Sequence, residues 1–163
     1  MVIERTICDC KKCKAGCRTM PGYLAPSDLP HFQVSDLQAS EGAVVVKDGQ
    51  TIRLPSIVPK QRQDGSCVFL DDSGGCTVHE HSPYGCRMFN SCEPDSFRVE
   101  VARQEGLIEL YDDLLDNGPY AQLHAILPPA RPRAERKAAF ARAIKKIERA
   151  ARQRTVRKRI KTR

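Results

Sequence analysis

Eight cysteines stand among 163 residues, and they fall into two islands. Cys8, Cys10, Cys13 and Cys17 form the first; Cys67, Cys76, Cys86 and Cys92 form the second. Thiolate is the soft donor that zinc, iron and iron–sulfur clusters accept, so metal ligation is the chemistry this set proposes. Cys10-Lys11-Lys12-Cys13 has the spacing at which two thiolates reach one ion from a tight turn whose backbone N–H groups bond the sulfurs. In the second island every cysteine lies beside a turn signal: Gly65-Ser66, Gly74-Gly75, Pro83-Tyr84-Gly85 and Glu93-Pro94. Such loops bring together donors that are distant in sequence. Four plus four suits two tetrahedral sites or clusters, each able to draw on both islands.

Ligand type does not separate zinc from an iron–sulfur cluster, since both take four thiolates. Zinc ribbons use two short CxxC knuckles, and only Cys10–Cys13 qualifies. The cysteine order of radical-SAM enzymes appears only in reverse at Cys10, Cys13 and Cys17. Cys8, only two residues from Cys10, is the weakest member. His79 and His81 flank Glu80 inside the second island; packing is the expectation for His79 and exposure for His81. Arg87, next to Cys86, suits either a thiolate or anionic partner or an ordinary ion pair. Asp71-Asp72 reads as a solvated turn. No Gly-x-Ser-x-Gly, His-Glu-x-x-His or P-loop pattern occurs.

Compartment bears on how the thiols are used. The opening Met1–Cys8 has no long apolar stretch, so a secretory signal is not expected and a cytoplasmic location is. No apolar run approaches the roughly 20 residues that span a bilayer, which excludes an integral membrane helix. Under reducing conditions cysteine islands favour metal over disulfides.

Charge divides the chain. From Pro128 to Arg163 there are 15 Lys and Arg against Glu135 and Glu148, a net +13; the first 127 residues carry 12 basic and 18 acidic residues, a net −6. The sequence is therefore expected to comprise a cysteine-cluster domain over 1–127 and a basic helical tail over 128–163. Pro128, Pro129 and Pro132 read as a linker. Ala134 to Arg154 is rich in helix formers, with Phe140, Ile144, Ile147 and Ala151 as a narrow apolar stripe that would dock on a partner or on the body. The last residues, Thr155 to Arg163, read as disordered in isolation. Nucleic acid or a ribonucleoprotein is the expected anionic partner, through Arg142, Lys145, Lys146, Arg149, Arg152, Arg154, Arg157, Lys158, Arg159 and Lys161. A solvated or folded-back tail is the alternative.

Within the body, Ser27 or Asp28 would cap a short helix through Leu29 to Leu37. Ala43 to Val46 and Thr51 to Leu54 around Asp48-Gly49 predict a hairpin. Cys67 to Leu70 and Cys76 to His79 look like two further short strands. Helical periodicity runs from about Phe97 to Leu115, closed by Asn117-Gly118-Pro119, and a second helix is expected from Tyr120 to Leu127. Aromatic residues are few, with five Phe, four Tyr and no Trp, so the core is aliphatic and thin for this length. The expected fold is α+β: a small, irregular, metal-stabilised cysteine-rich domain with short β-hairpins, then helices and a basic C-terminal helix.

The stretch from Cys67 through Gly74-Gly75-Cys76-Thr77-Val78-His79 to Ser82-Pro83-Tyr84-Gly85-Cys86-Arg87-Met88-Phe89 resembles the second motif of the YkgJ-like cysteine-cluster family, described as zinc- or iron-chelating. The first island, followed by Met20-Pro21-Gly22-Tyr23, is similar to that family's leading CxxCxxCC segment. The resemblance spans residues 8 to 92 and implies Cys10, Cys13, Cys17, Cys67, Cys76 and Cys86 as ligands, with Cys92 as a seventh. Two departures stand out: Gly16 replaces one of the doubled cysteines, and Ser82 replaces the arginine before Pro83. Some relatives are joined to protein-methylating activity, but no Gly-rich loop that would cradle S-adenosylmethionine follows a strand here. The sequence thus predicts a metal- or cluster-binding module with a nucleic-acid-directed tail. An iron–sulfur enzyme or accessory domain is the alternative, and a redox switch at Cys10–Cys13 a third reading.

Overall fold

The computed structural model describes residues 10–47, 49–89 and 97–161. Helix α1 (Lys11–Thr19) is followed by two 3-10 turns, Pro26–His31 and Val34–Asp36, and by strands β1 (Leu37–Lys47) and β2 (Gln50–Pro59). Irregular chain then leads to a 3-10 turn at His79–His81, the one-turn helix α2 (Tyr84–Arg87), and helices α3 (Phe97–Leu115), α4 (Pro119–Ile126) and α5 (Arg133–Lys161).

β1 and β2 form a two-stranded antiparallel sheet in which Lys47 pairs with Gln50 and Val45 with Ile52. Gly49, at φ +75°, supplies the left-handed turn position that the sequence anticipated. The register slips by one residue between Ser40 and Ala43, so Glu41 and Gly42 together face Pro55. Proline has no N–H for the ladder, and a bulge opposite it removes the need for one. The hairpin is longer than predicted because both arms continue beyond that bulge to Leu37 and Pro59.

The apolar core lies where the hairpin meets α3 and α4. Leu24, Leu37, Leu54, Ile57, Leu107, Leu110, Tyr120 and Leu127 form it, with Phe32, Leu114 and Leu123 packed on its margin. Tyr120 is fully buried; its hydroxyl donates to the Leu24 carbonyl at 2.8 Å and accepts from the Ile57 N–H at 2.6 Å. α3 occupies the predicted span and ends with Asn117 in the left-handed region at φ 49° and the Gly118 N–H bonded back to the Asp113 carbonyl.

Four expectations are corrected. The helix from Leu29 to Leu37 is instead the pair of short 3-10 turns, because Pro30 sits inside the first and Phe32 is already extended. The two strands at Cys67–Leu70 and Cys76–His79 reduce to the isolated bridges Gln61–Cys67 and Leu70–Cys76, since the glycine turns between them leave room for a single bridge each. The proline stretch is not a loose linker: Ala39 donates to the Pro128 carbonyl at 2.9 Å and Ala130 donates to the Ala39 carbonyl at 2.6 Å, extending the edge of β1. The helix of the tail runs on from Arg154 to Lys161. Lysine and arginine are good helix formers, and a helix already started by packing extends at little cost.

α5 packs along α1. Three of the four stripe residues are covered: the Phe140 ring meets Phe89, just after α2, edge-on at 5.9 Å, and Ile144 and Ile147 are half-buried, whereas Ala151 is exposed. Lys12 pairs with Glu148 at 2.9 Å. The start of α5 is fixed by Arg136, which is 4% exposed and donates to the Ser40 hydroxyl and the Arg131 carbonyl. No helix among the described residues is long and apolar enough to cross a membrane.

Candidate metal centre

α1 carries the described part of the first island. Cys10 caps it, its Sγ accepting from the Cys13 N–H at 3.4 Å, and the spacing of Cys10, Cys13 and Cys17 by three and four places them on one helical face. The second island is tied to the end of this helix through backbone: the Cys67 N–H donates to the Cys17 carbonyl at 2.7 Å. Gln61 reinforces the junction by donating to the Thr19 carbonyl at 3.0 Å.

From Cys67 the chain turns back at Asp71–Gly75. The exposed Asp71 carboxylate accepts from the Ser73 hydroxyl at 2.7 Å and the Gly75 N–H at 2.8 Å, as expected of a solvated turn. Leu70 then bridges to Cys76, the second cysteine of this island. Cys86 arrives on α2, and its Sγ accepts the Gly22 N–H at 3.2 Å. A Cβ at Gly22 would lie 2.3 Å from the Cys86 nitrogen, so only glycine lets the loop after α1 approach this closely.

One buried carboxylate holds that loop to α2. Asp28 is 4% exposed. Its Oδ2 accepts from the N–H groups of Ala25 at 2.9 Å and Tyr84 at 2.7 Å, and its Oδ1 pairs with the Arg87 guanidinium at 2.8 Å. Arg87 also donates to the Ser82 carbonyl and lies 5.3 Å from the Tyr84 ring centre. Arg87 thus makes the ion pair allowed by its position in sequence. The partner, Asp28, was read there only as a helix cap; the signal available was a lone acid in the otherwise uncharged stretch from Tyr23 to Pro30.

The electrostatics group four of the thiols. Burial pushes Cys67 up to about 12, the nearby Cys17 and Cys76 raise it further, and the Phe69 N–H and Arg62 oppose them. Burial likewise pushes Cys86 up; Cys17, Cys67 and Cys76 add to this against the Gly22 N–H. Cys17, Cys67, Cys76 and Cys86 therefore feel one another as a set. All six described cysteines are thiols rather than disulfides. Among the described residues no three His, Cys, Asp or Glu side chains are arranged as ligands around an ion, so the set is clustered rather than closed. Its chemistry nevertheless fits a cation. Cys67 and Cys86, pushed up by burial, resist ionisation, and a metal is the partner that reverses this by making thiolate the favoured form.

Of the other predicted residues, Cys10 and Cys13 are half-buried on α1, whereas Cys8 and Cys92 lie outside the described residues. His79 is exposed rather than packed, because the 3-10 turn at 79–81 sits on the surface. His81 is exposed as expected and stacks on His31, ring centres 4.4 Å apart. Arg142, Lys145, Lys146, Arg149, Arg152, Arg154 and Arg157 are all exposed along α5. Lys158, Arg159 and Lys161 continue that helix, their side chains being outside the description.

No curated protein and no solved structure matches the chain. The family model CxxCxxCC, described as a putative zinc- or iron-chelating domain, matches residues 9–105, more than half of the 163. The match takes in every described cysteine, and with it the chain belongs to the CxxCxxCC family of zinc- or iron-chelating domains.

Proposed function

We propose that Cys17, Cys67, Cys76 and Cys86 hold one zinc ion or iron–sulfur cluster and that Cys10 and Cys13, on the same face of α1 as Cys17, complete the donor supply with Cys8 and Cys92. The protein is then a metal-binding module whose basic tail engages nucleic acid or a ribonucleoprotein. The observation that carries the metal half is the mutual coupling of four thiols, two of them driven up by burial. A metal bound by four thiolates supplies cross-linking of loops rather than an open catalytic position. Within this arrangement the chain's own groups have distinct tasks: the Gly22 N–H bonds the Cys86 sulfur, Asp28 orients the helix that carries it, and the Cys67 N–H fixes the second island to α1. The division at 127/128 is one of chemistry, acidic thiol-bearing body against basic tail.

Anaerobic purification followed by elemental analysis and absorption spectroscopy tests the metal half. Wild-type protein is expected to carry stoichiometric zinc or iron, and Cys67→Ser and Cys86→Ser to lose it. Metal content unaffected by either substitution would remove the assignment. For the tail, Pro128 to Glu148 is fixed to β1 and α1, so the informative truncation ends after Glu148. It should keep the metal and lose salt-sensitive binding to nucleic acid. Equal binding by both forms would remove that half.

A further inference from the structure

The distribution of charge around α5 changes where the helix leaves the body. Along the part of α5 that packs on α1, Phe140, Ile144 and Ile147 are half-buried and the basic residues occupy the opposite side: Arg142, Lys145 and Lys146, continued by Arg149 and Arg152, lie within about 120° of one another round the axis. Beyond Glu148 every residue whose burial is described, from Arg149 to Thr155 and Arg157, is exposed. There the single-sided pattern ends. At 3.6 residues per turn Arg154 and Lys158 fall about 120–180° round the helix axis from Arg149 and Arg152, with Arg157 between the two sides. The end of α5 is thus a cationic rod charged all round, thirteen residues from Arg149 to Lys161, about 20 Å long at the rise of an α-helix. Its direction is set by the anchored first half.

We infer that this projecting end of α5 lies in the major groove of double-stranded DNA, an inference that rests on the nucleic-acid half of the proposed function and narrows it to one class of polyanion. A helix that binds a flat row of phosphates needs cations on one side only. A helix lying in a groove meets phosphates on both walls, and the B-form major groove, roughly 12 Å wide, admits an α-helix. The deep, narrow major groove of an RNA duplex does not. Single strands are held by stacking bases on aromatic rings, and residues 141–163 contain no Phe, Tyr or Trp. Phe140, the nearest aromatic, is engaged with Phe89. Arginine and lysine dominate this end, and their charge acts first on the phosphate backbone.

Fluorescence anisotropy with full-length, metal-loaded protein tests this on a 20-base-pair DNA duplex, one of its single strands, and the RNA duplex of the same sequence, across a salt series. The DNA duplex is expected to bind at least tenfold tighter than the other two and to lose about 100-fold in affinity between 50 and 200 mM salt, as for four or more phosphates. The paired variants R149Q/R152Q and R154Q/K158Q, on opposite sides of the rod, are expected to weaken duplex binding by similar factors and each to flatten the salt slope by about two contacts, with metal content unchanged. Equal or tighter binding to single strands or RNA, or an effect confined to R149Q/R152Q, would overturn the groove assignment while leaving the proposed function standing. No binding to any of the three at low salt would remove the nucleic-acid half altogether.

Discussion

The carboxylate of Asp28 makes the most exacting test of how the centre is supported. It has three partners: two backbone N–H groups on separate segments and the Arg87 guanidinium. Replacement by alanine leaves the amides of Ala25 and Tyr84 without their acceptor and strands a guanidinium whose side chain is 27% exposed. Breaking a buried pair from one side costs about 3–5 kcal/mol; partial exposure of Arg87 places this case near 3. Asp28→Asn keeps an acceptor oxygen for one or both amides and loses the charge, for a cost of about 1–2 kcal/mol. Against a domain stability of roughly 5–15 kcal/mol, the first is severe and the second tolerable. Because Asp28 touches no thiol in these contacts, its effect on metal must pass through the position of α2.

Denaturant unfolding and metal competition with a chromophoric chelator together measure this. Asp28→Asn should remain folded, unfold at lower denaturant, and release metal to the chelator more readily than wild type. The double variant with Arg87→Met should be less destabilised than the sum of the singles, since each partner then no longer leaves the other alone. A midpoint and metal affinity of Asp28→Ala equal to wild type would refute the clamp. So would strict additivity with Arg87→Met.

Three further outcomes follow from the same contacts. Tyr120→Phe should cost about 1–3 kcal/mol in thermal or denaturant unfolding, because the Ile57 N–H and Leu24 carbonyl lose their common partner inside the core; metal content should not change. Gly22→Ala, whose Cβ would lie 2.3 Å from the Cys86 nitrogen, must push the loop off α2, and should lower metal retention as measured by elemental analysis. Metal-stripped protein should lose stability at alkaline pH: Cys67 ionises near 9.0 when unfolded and at about 12 when folded, so the unfolded chain sheds the proton first. The contribution is whole below pH 9 and falls by up to about 1.4 kcal/mol per pH unit per thiol between the two values. Metal-loaded protein, its thiolates already formed, should lack this slope; the same slope in both forms would contradict ligation by Cys67.

Much of the local structure was legible because it rests on local chemistry. Asp48-Gly49 marked the hairpin, the 3.6-residue period from Phe97 to Leu115 set α3, and the stripe through Phe140, Ile144 and Ile147 announced a docked helix. The cysteine turns were also readable, since Gly74-Gly75 and Pro83 punctuate them. What sequence did not reveal depends on distant partners. The hydrogen bonds of Ala39 with the 128–130 segment turn a proline linker into a sheet edge, and nothing in Pro128-Pro129 foretells that neighbour. Asp28 and Arg87 are 59 residues apart, and each has an ordinary local explanation that hides the other. The missing strands at Cys67 and Cys76 show the reverse case: β-prone residues with too little room between glycine turns to pair for more than one bridge.

The apolar core and the thiols occupy different parts of the molecule, and this separation bears on what the metal is for. Hairpin, α3 and α4 bury leucines, isoleucine and Tyr120 against one another. The segment from Gln61 to Cys86 contributes Cys67, Leu70 and Pro83 as its buried apolar residues, touches the core margin where Phe69 meets Phe32 with ring centres 5.5 Å apart, and is otherwise held by turn hydrogen bonds and the contacts of Asp28 and Arg87. α1, the other wall of the centre, is packed against α5, and both helices are rich in lysine and arginine. Like charge on two adjoining helices opposes their packing, and the Lys12–Glu148 pair is half-exposed, worth little against it. The proposed cation, gripped by Cys17 together with Cys67, Cys76 and Cys86, would join α1 to the loops opposite, at the place where burial supplies least. Metal removal should therefore loosen α1 and the 61–86 loops before the hairpin core, and hydrogen exchange on loaded and stripped protein should show protection lost first at Cys67 and Cys86 and last at Ile57. Uniform loss across both regions would mean that core and centre unfold as one.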